Sequence, residues 1–217
     1  MTLSKKEIIE WYCKYNYPEY ENEIMCSINI VKTWEDFKSL LLQNHGILYW
    51  KGALRTRHYY DCLEQDSSKW KELYEITKVS INEQKETVKK IRNFSKANMK
   101  YKGKSGGISY PVASTLVFFF SKGECPVIDW RAICTLKEKG YSEQLKSIKL
   151  YPNKKSSTYQ IYLEDDGWDS YFELCKDIVR TLDIEKIGKD TPLRVLDKAL
   201  WKYPDLNKEK HEKRLCL

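Results

Sequence analysis

Histidine is scarce in this chain: among 217 residues there are three, His45, His58 and His211. A three-histidine metal centre or a Ser/His/Asp relay therefore has little to be built from. Seven cysteines, at positions 13, 26, 62, 125, 134, 175 and 216, form no C-x-x-C pair. Their number is odd and their spacing irregular, so they read as reduced, mostly buried thiols, with neither zinc nor an iron–sulfur cluster expected. No apolar run approaches the ~18 residues that signal a membrane span. The opening Met1-Thr2-Leu3-Ser4-Lys5-Lys6-Glu7 lacks the apolar stretch of a secretion signal. Internal repeats and low-complexity tracts are missing as well. These absences predict a soluble, monomeric cytoplasmic protein with no membrane partner.

Aromatic residues make up 13% of the chain and charged residues 32%. That aromatic content supplies a core and argues against disorder. The length suits one domain with two lobes, spanning residues 1–207, followed by a charged tail at 208–217 expected to fray. The net charge of +7 is unevenly spread. Between Thr87 and Gly123 stand Lys89, Lys90, Arg92, Lys96, Lys100, Lys102, Lys104 and Lys122, with no acidic residue among them. Such a field suits a polyanion, because each neutralised phosphate releases counterions. Its plain alternative is a solvated basic face.

The periodicities predict a mostly α protein. Ser4 and Glu7 form a capping box for a first helix bearing Ile8, Ile9, Trp11, Tyr12 and Tyr15, which Pro18 stops. Residues Ile24 to Val31 read as a short strand or a packed loop. Thr33 caps a helix from Trp34 to Gln43. The segment Gly46 to Tyr60 mixes rings with cations (Tyr49, Trp50, Lys51, Arg55, Arg57, His58, Tyr59, Tyr60), a composition that can stack on bases and hold phosphates. Its other reading places Trp50 in the core and Arg57 in a salt bridge, with His58 structural. A helical segment around Trp70 follows, and Ser80 with Glu83 makes a second capping box ahead of a helix from Asn82 to Met99. After Asp129 a helix through Ile133 and Leu136 ends at Gly140. Residues 141–163 read as a surface insertion with a β-like run, Thr158 to Leu163. Trp168 to Leu182 follows helical spacing, and Thr191-Pro192 opens a last helix carrying Leu193, Leu196, Ala199 and Leu200.

The chain is organised around Gly106 to Arg131. A glycine pair supplies a turn, Ser109 to Ser121 forms a helix apolar nearly all round, and Asp129 opens the next helix as its N-cap.

Gly107-Ile108-Ser109-x-x-Val112-Ala113, with Asp129 sixteen residues beyond Ala113 in Pro126-Val127-Ile128-Asp129, resembles the Gly-hydrophobic-Gly-x-x-x-Ala hairpin and downstream aspartate of the helix-hairpin-helix DNA glycosylase superfamily. Leu196-Asp197-x-Ala199-Leu200-Trp201 is similar to small bacterial members, and the likeness covers residues 35–204. It implies a two-lobed helical fold with the hairpin motif at about residues 83–121. It further implies that hairpin amides hold a phosphate of double-stranded DNA, with a monovalent cation beside it and no other cofactor. The target nucleotide would be flipped into a cleft between the lobes, with Asp129 stabilising the cationic sugar and orienting the attacking water. Lys102, Lys104, Gly106, Gly107, Ser109, Tyr110 and Arg131 would then contact DNA, and Trp50, Lys51, Arg57 and Trp130 would line the base pocket or touch the strand. Metal ligands are not implied.

Three departures from the family pattern matter. Pro111 stands where bifunctional members carry a Schiff-base lysine, so a monofunctional glycosylase leaving an abasic site is expected. Ser109 replaces the second hairpin glycine, and the four-cysteine loop of some members is missing. A nucleoid-associated enzyme acting on damaged or modified bases, in repair or against phage with modified DNA, is the first reading. A non-catalytic DNA-binding protein is the second. A helical interaction domain whose lysines serve only solvation is the third. For Asp129 the alternative role is helix capping alone. Arg131 either clamps DNA or pairs with a carboxylate.

Overall fold

The computed structural model describes residues 2–15, 20–78, 83–153, 158–164 and 166–206, without the side chains of 54, 55 and 204–206. The Pro18 stop, the Ser80 cap, Arg55's side chain, Lys154, Lys155 and the 208–217 tail lie outside this set. The protein is mostly helical, and among the described residues no helix is long and apolar enough to cross a membrane.

The chain divides into two compact units, residues 17–127 and residues 1–16 with 128–217. In the 17–127 unit, α2 (Tyr20–Ile28), α3 (Trp34–Leu42), α4 (Ile47–Trp50), a 3₁₀ helix (Leu54–Tyr59), α5 (Asp61–Glu64), α6 (Ser67–Thr77) and α7 (Gln84–Asn98) precede a small antiparallel ribbon and α8 (Tyr110–Phe120). The ribbon strands are β1 (Lys100–Tyr101) and β2 (Lys104–Ser105), paired Lys100 to Ser105 and Tyr101 to Lys104. Helix α8 is the rod of this unit: Val112 through Phe119 are all buried, against α2, α4, α6 and α7. Its interior hydroxyls stay on the helix itself, Thr115 Oγ1 donating to the Pro111 carbonyl at 2.8 Å. Phe37 meets Phe120 edge-on at 5.7 Å, and Trp50 stacks on Phe118 at 6.1 Å.

Two expectations are corrected in this unit and one holds. Residues 24–28 belong to helix α2, because Ile24 and Ile28, four apart, bury one helical face. The helical segment expected around Trp70 is α6, which Asp66 caps by accepting a hydrogen bond from the Ser68 amide; the short α5 precedes it. The link between α7 and α8 is the β ribbon followed by Gly106-Gly107, not a tight glycine turn; the reversal falls at Lys102-Gly103, with φ of 48° and 76°. Positive φ at both central residues is what a two-residue hairpin turn needs to match strand twist.

The other unit is built on α11 (Pro192–Leu206), packed by α1 (Lys5–Cys13), α9 (Trp130–Leu136) and α10 (Gly167–Thr181). Capping follows the sequence closely: Ser4 and Glu7 exchange hydrogen bonds, and Pro192 occupies the first turn of α11. Helix α9 continues into a wider turn, Lys137–Tyr141, that ends where Gly140 takes φ of 94°. Residues 141–163 are more than a surface insertion: β3 (Ile148–Pro152) and β4 (Tyr159–Leu163) pair as a hairpin, β4 lies on α9, and Leu145 and Ile148 are fully buried. The thiols are also less buried than expected. Cys13 and Cys26 are exposed, Cys62 and Cys134 half-buried, and Cys125 and Cys175 buried.

Candidate nucleic-acid interface

The ribbon and the 3₁₀ helix share one surface of the 17–127 unit, set by hydrogen bonds and one close glycine contact. The Gly106 amide donates to the Met99 carbonyl at 2.8 Å, closing the ribbon at its base. The Ile108 amide donates to Ser95 Oγ at 2.9 Å, and Arg92 Nη1 donates to the Ile108 carbonyl at 3.1 Å, so the glycine linker is tied down along α7. Burial holds the Arg92 guanidinium below its ordinary pKa, offset in part by neighbouring Tyr110. Gly107 lies hard against the 3₁₀ helix: a Cβ there would fall 2.6 Å from Tyr59 Cβ and 3.0 Å from Met99 Cε. Cys62 in α5 donates its thiol to the Lys100 carbonyl, anchoring β1 from the other side.

Two separate stretches of sequence thus meet. The ring centroids of His58 and Tyr101 are 4.1 Å apart, those of His58 and Tyr59 4.6 Å, and those of Tyr59 and Tyr101 5.9 Å. Tyr101 remains 37% exposed, with Lys102 Nζ 5.3 Å from its ring centre. Lys100, Lys102 and Lys104 are exposed, and none of them has a carboxylate partner among the described residues. Elsewhere in the basic stretch Lys89 pairs with Glu86 and Lys90 with Glu83, both at 3.3 Å. The ribbon thus carries three exposed lysines without a carboxylate partner among the described residues, and Lys96 on α7 and Lys122 after α8 are exposed in the same way. Arg57 is exposed, has no salt bridge among the described residues, and lines an open cleft of about 580 Å³ on α3 with Trp34, Lys38 and Asn44.

Two of the expected DNA contacts sit differently. Trp50 is 6% exposed and wedged against Phe118 and Phe119, so it is core and not a stacking surface; apolar burial of an indole outweighs its use at the surface. Lys51, at the C-cap of α4, is half-buried. Gly106, Gly107, Ser109 and Tyr110 form the path from ribbon to α8, with Ser109 as N-cap and its side chain unused in capping. Sequence reading missed Tyr101; the Lys-Tyr-Lys-Gly-Lys alternation about a turn-forming glycine was the available signal.

The second group of expected residues belongs to the other unit. Asp129 is half-buried and caps α9, its Oδ1 accepting from the Arg131 amide at 3.0 Å. The Arg131 guanidinium sits 4.6 Å from the Trp130 ring centre and 4.4 Å from that of Trp201. Trp130 in turn leans on Tyr159 at 5.5 Å. Beneath this surface Arg194 and Asp197, three residues apart on α11, form a buried ion pair. Arg194 also donates to the Tyr15 hydroxyl at 3.3 Å. Tyr171 is fully buried; loss of water, with neighbouring Cys175 and the charge of Asp197 adding, pushes its phenol well above the usual range. Comparison of the chain with protein families, characterised proteins and solved structures finds no match.

Proposed function

We propose that this protein is a monofunctional DNA glycosylase, which binds duplex DNA through the ribbon surface and hydrolyses the N-glycosidic bond of a damaged or modified base with the help of Asp129. The observation that carries the reading is the set of ribbon lysines, Lys100, Lys102 and Lys104, exposed and without carboxylate partners among the described residues. Lysines left unpaired in this way are suited to phosphates, whose neutralisation releases counterions. Asp129 adds the chemistry. Breaking the bond builds positive charge on the deoxyribose, and a carboxylate held at a helix mouth stabilises that charge and orients or deprotonates water. Pro111 offers no nucleophile, so an abasic site rather than a nicked strand is the expected product.

The test is to incubate the protein with duplexes carrying varied damaged bases, and with phage DNA bearing hypermodified bases, then to reveal abasic sites with alkali. Asp129→Asn keeps a capping side chain, since asparagine caps as well as aspartate, and is expected to lower the yield of abasic sites by roughly 100-fold or more while DNA affinity stays unchanged. Absence of alkali-labile sites on every substrate with the wild-type protein would remove the catalytic reading. A non-catalytic DNA-binding protein is the second reading, favoured by the occupation of Asp129 in capping α9 and of Arg131 between two indoles. Under it, Asp129→Asn leaves biological activity intact.

A further inference from the structure

We infer that the His58–Tyr59–Tyr101 cluster is a stacking platform for an unpaired DNA base, so that the ribbon selects DNA with an extrahelical nucleotide over fully paired duplex. The inference rests on the reading of the ribbon as a DNA-binding surface and is independent of catalysis by Asp129.

A ribbon of two-residue strands has little stability of its own, and its rings help to hold it. Holding it does not require Tyr101 to stay in water. His58 approaches Tyr101 at 4.1 Å with the planes inclined by 51°, and Tyr59 meets it edge-on at 62°. Both neighbours are tilted, and the ring keeps 37% of its surface exposed. Lys102 holds its ammonium over the Tyr101 ring, 5.3 Å from its centre, and Lys104 is the residue paired with Tyr101 across the ribbon. A ring of this kind bordered by cations matches a nucleotide, the base on the ring and the phosphate on the lysines. Bases inside a duplex already have both faces covered. Only an unpaired one presents a face to Tyr101, which is why the platform discriminates between the two forms. Gly107 fixes the arrangement, because Tyr59 packs against it where any side chain would collide.

The experiment compares a fully paired labelled duplex with the same duplex carrying one extra 2-aminopurine, by fluorescence anisotropy, using the full chain with Asp129→Asn so that the DNA stays intact. Binding to the extrahelical form is expected to be roughly ten-fold tighter, with quenching of the 2-aminopurine on binding. Tyr101→Leu keeps apolar bulk but has no ring to stack. It is expected to abolish both the preference and the quenching while affinity for paired duplex and thermal midpoint stay as they were. Tyr101→Trp is expected to retain the preference. Replacing Lys100, Lys102 and Lys104 together by glutamine is expected to weaken both duplexes alike. Equal binding of the two duplexes by the parent protein, or a preference that survives Tyr101→Leu, overturns the platform and leaves the ribbon standing as a phosphate contact. Failure to bind either duplex overturns the DNA-binding reading as well.

Discussion

At the scale of single residues, Gly107 decides whether the surface forms. Its φ of 115° lies where side chains are rarely accommodated, and the space beside it is taken by Tyr59. Gly106 has a similar φ of 129°, but a Cβ there would meet only the tip of Arg92, 3.9 Å away. The two glycines therefore differ in what they tolerate. Gly107→Ala combines backbone strain with overpacking and is expected to cost about 2–4 kcal/mol, against about 1 kcal/mol for Gly106→Ala. Urea denaturation of the two variants measures the difference, and equal losses would mean that Tyr59 yields easily. From sequence, the pair is legible as a turn signal, but which member is irreplaceable is not, since Tyr59 lies 48 positions earlier in the chain.

At the scale of elements, α11 shows how a motif can have a structural basis that its residues do not announce. Leu196, Ala199 and Leu200 give the helix its apolar face, readable from spacing alone. The partnership of Arg194 with Asp197 inside that face is a different matter, because an i,i+3 pair on a helix is ordinarily solvated. Here both side chains are buried, and Arg194 reaches Tyr15 of the first-helix segment. Asp197→Asn removes the carboxylate charge beside the buried Arg194 guanidinium and is expected to destabilise the fold by about 3–5 kcal/mol. The double replacement Arg194→Met with Asp197→Leu removes both charges and should recover most of that loss. Thermal unfolding of single and double variants provides the check, and a double variant as unstable as the single one would show that the pair is needed for more than mutual neutralisation. Caps, by contrast, are local: Ser4, Thr33 and Asp129 each cap a helix start as the sequence suggests, because a cap depends on three or four adjacent residues.

At the scale of the molecule, charge is the property that the chain carries most visibly. If the ribbon lysines meet phosphates, the logarithm of DNA affinity should fall with the logarithm of salt concentration. Replacing Lys100, Lys102 and Lys104 by glutamine should then flatten that slope by about 0.9 for each phosphate contact removed. Titrations at several salt concentrations measure it directly, and an unchanged slope would place the phosphate contacts elsewhere. Helix content, the buried α8 rod and the cap at Asp129 were legible because they follow from short-range pattern: periodic apolar residues, a proline in a first turn, a carboxylate before a helix. Trp50 was ambiguous for the opposite reason. A tryptophan beside lysine reads equally as stacking surface or core, and only its neighbours Phe118 and Phe119, far along the chain, settle the matter. The strand option for residues 24–31 failed because a short apolar run fits either period, and contact with the α8 rod selected the helix.

The sequence by itself determined a mostly helical protein, its capped helix starts, its apolar central rod and an acid-free stretch of lysines. Tertiary structure alone decided that residues 100–105 of this stretch fold into a ribbon, that Tyr101 meets His58 and Tyr59 there, and that Arg194 and Asp197 share a buried site. The physical reason is range. Caps and periodic faces are set by residues within a turn of one another, whereas ring clusters, glycine contacts and buried ion pairs depend on segments brought together only when the core closes.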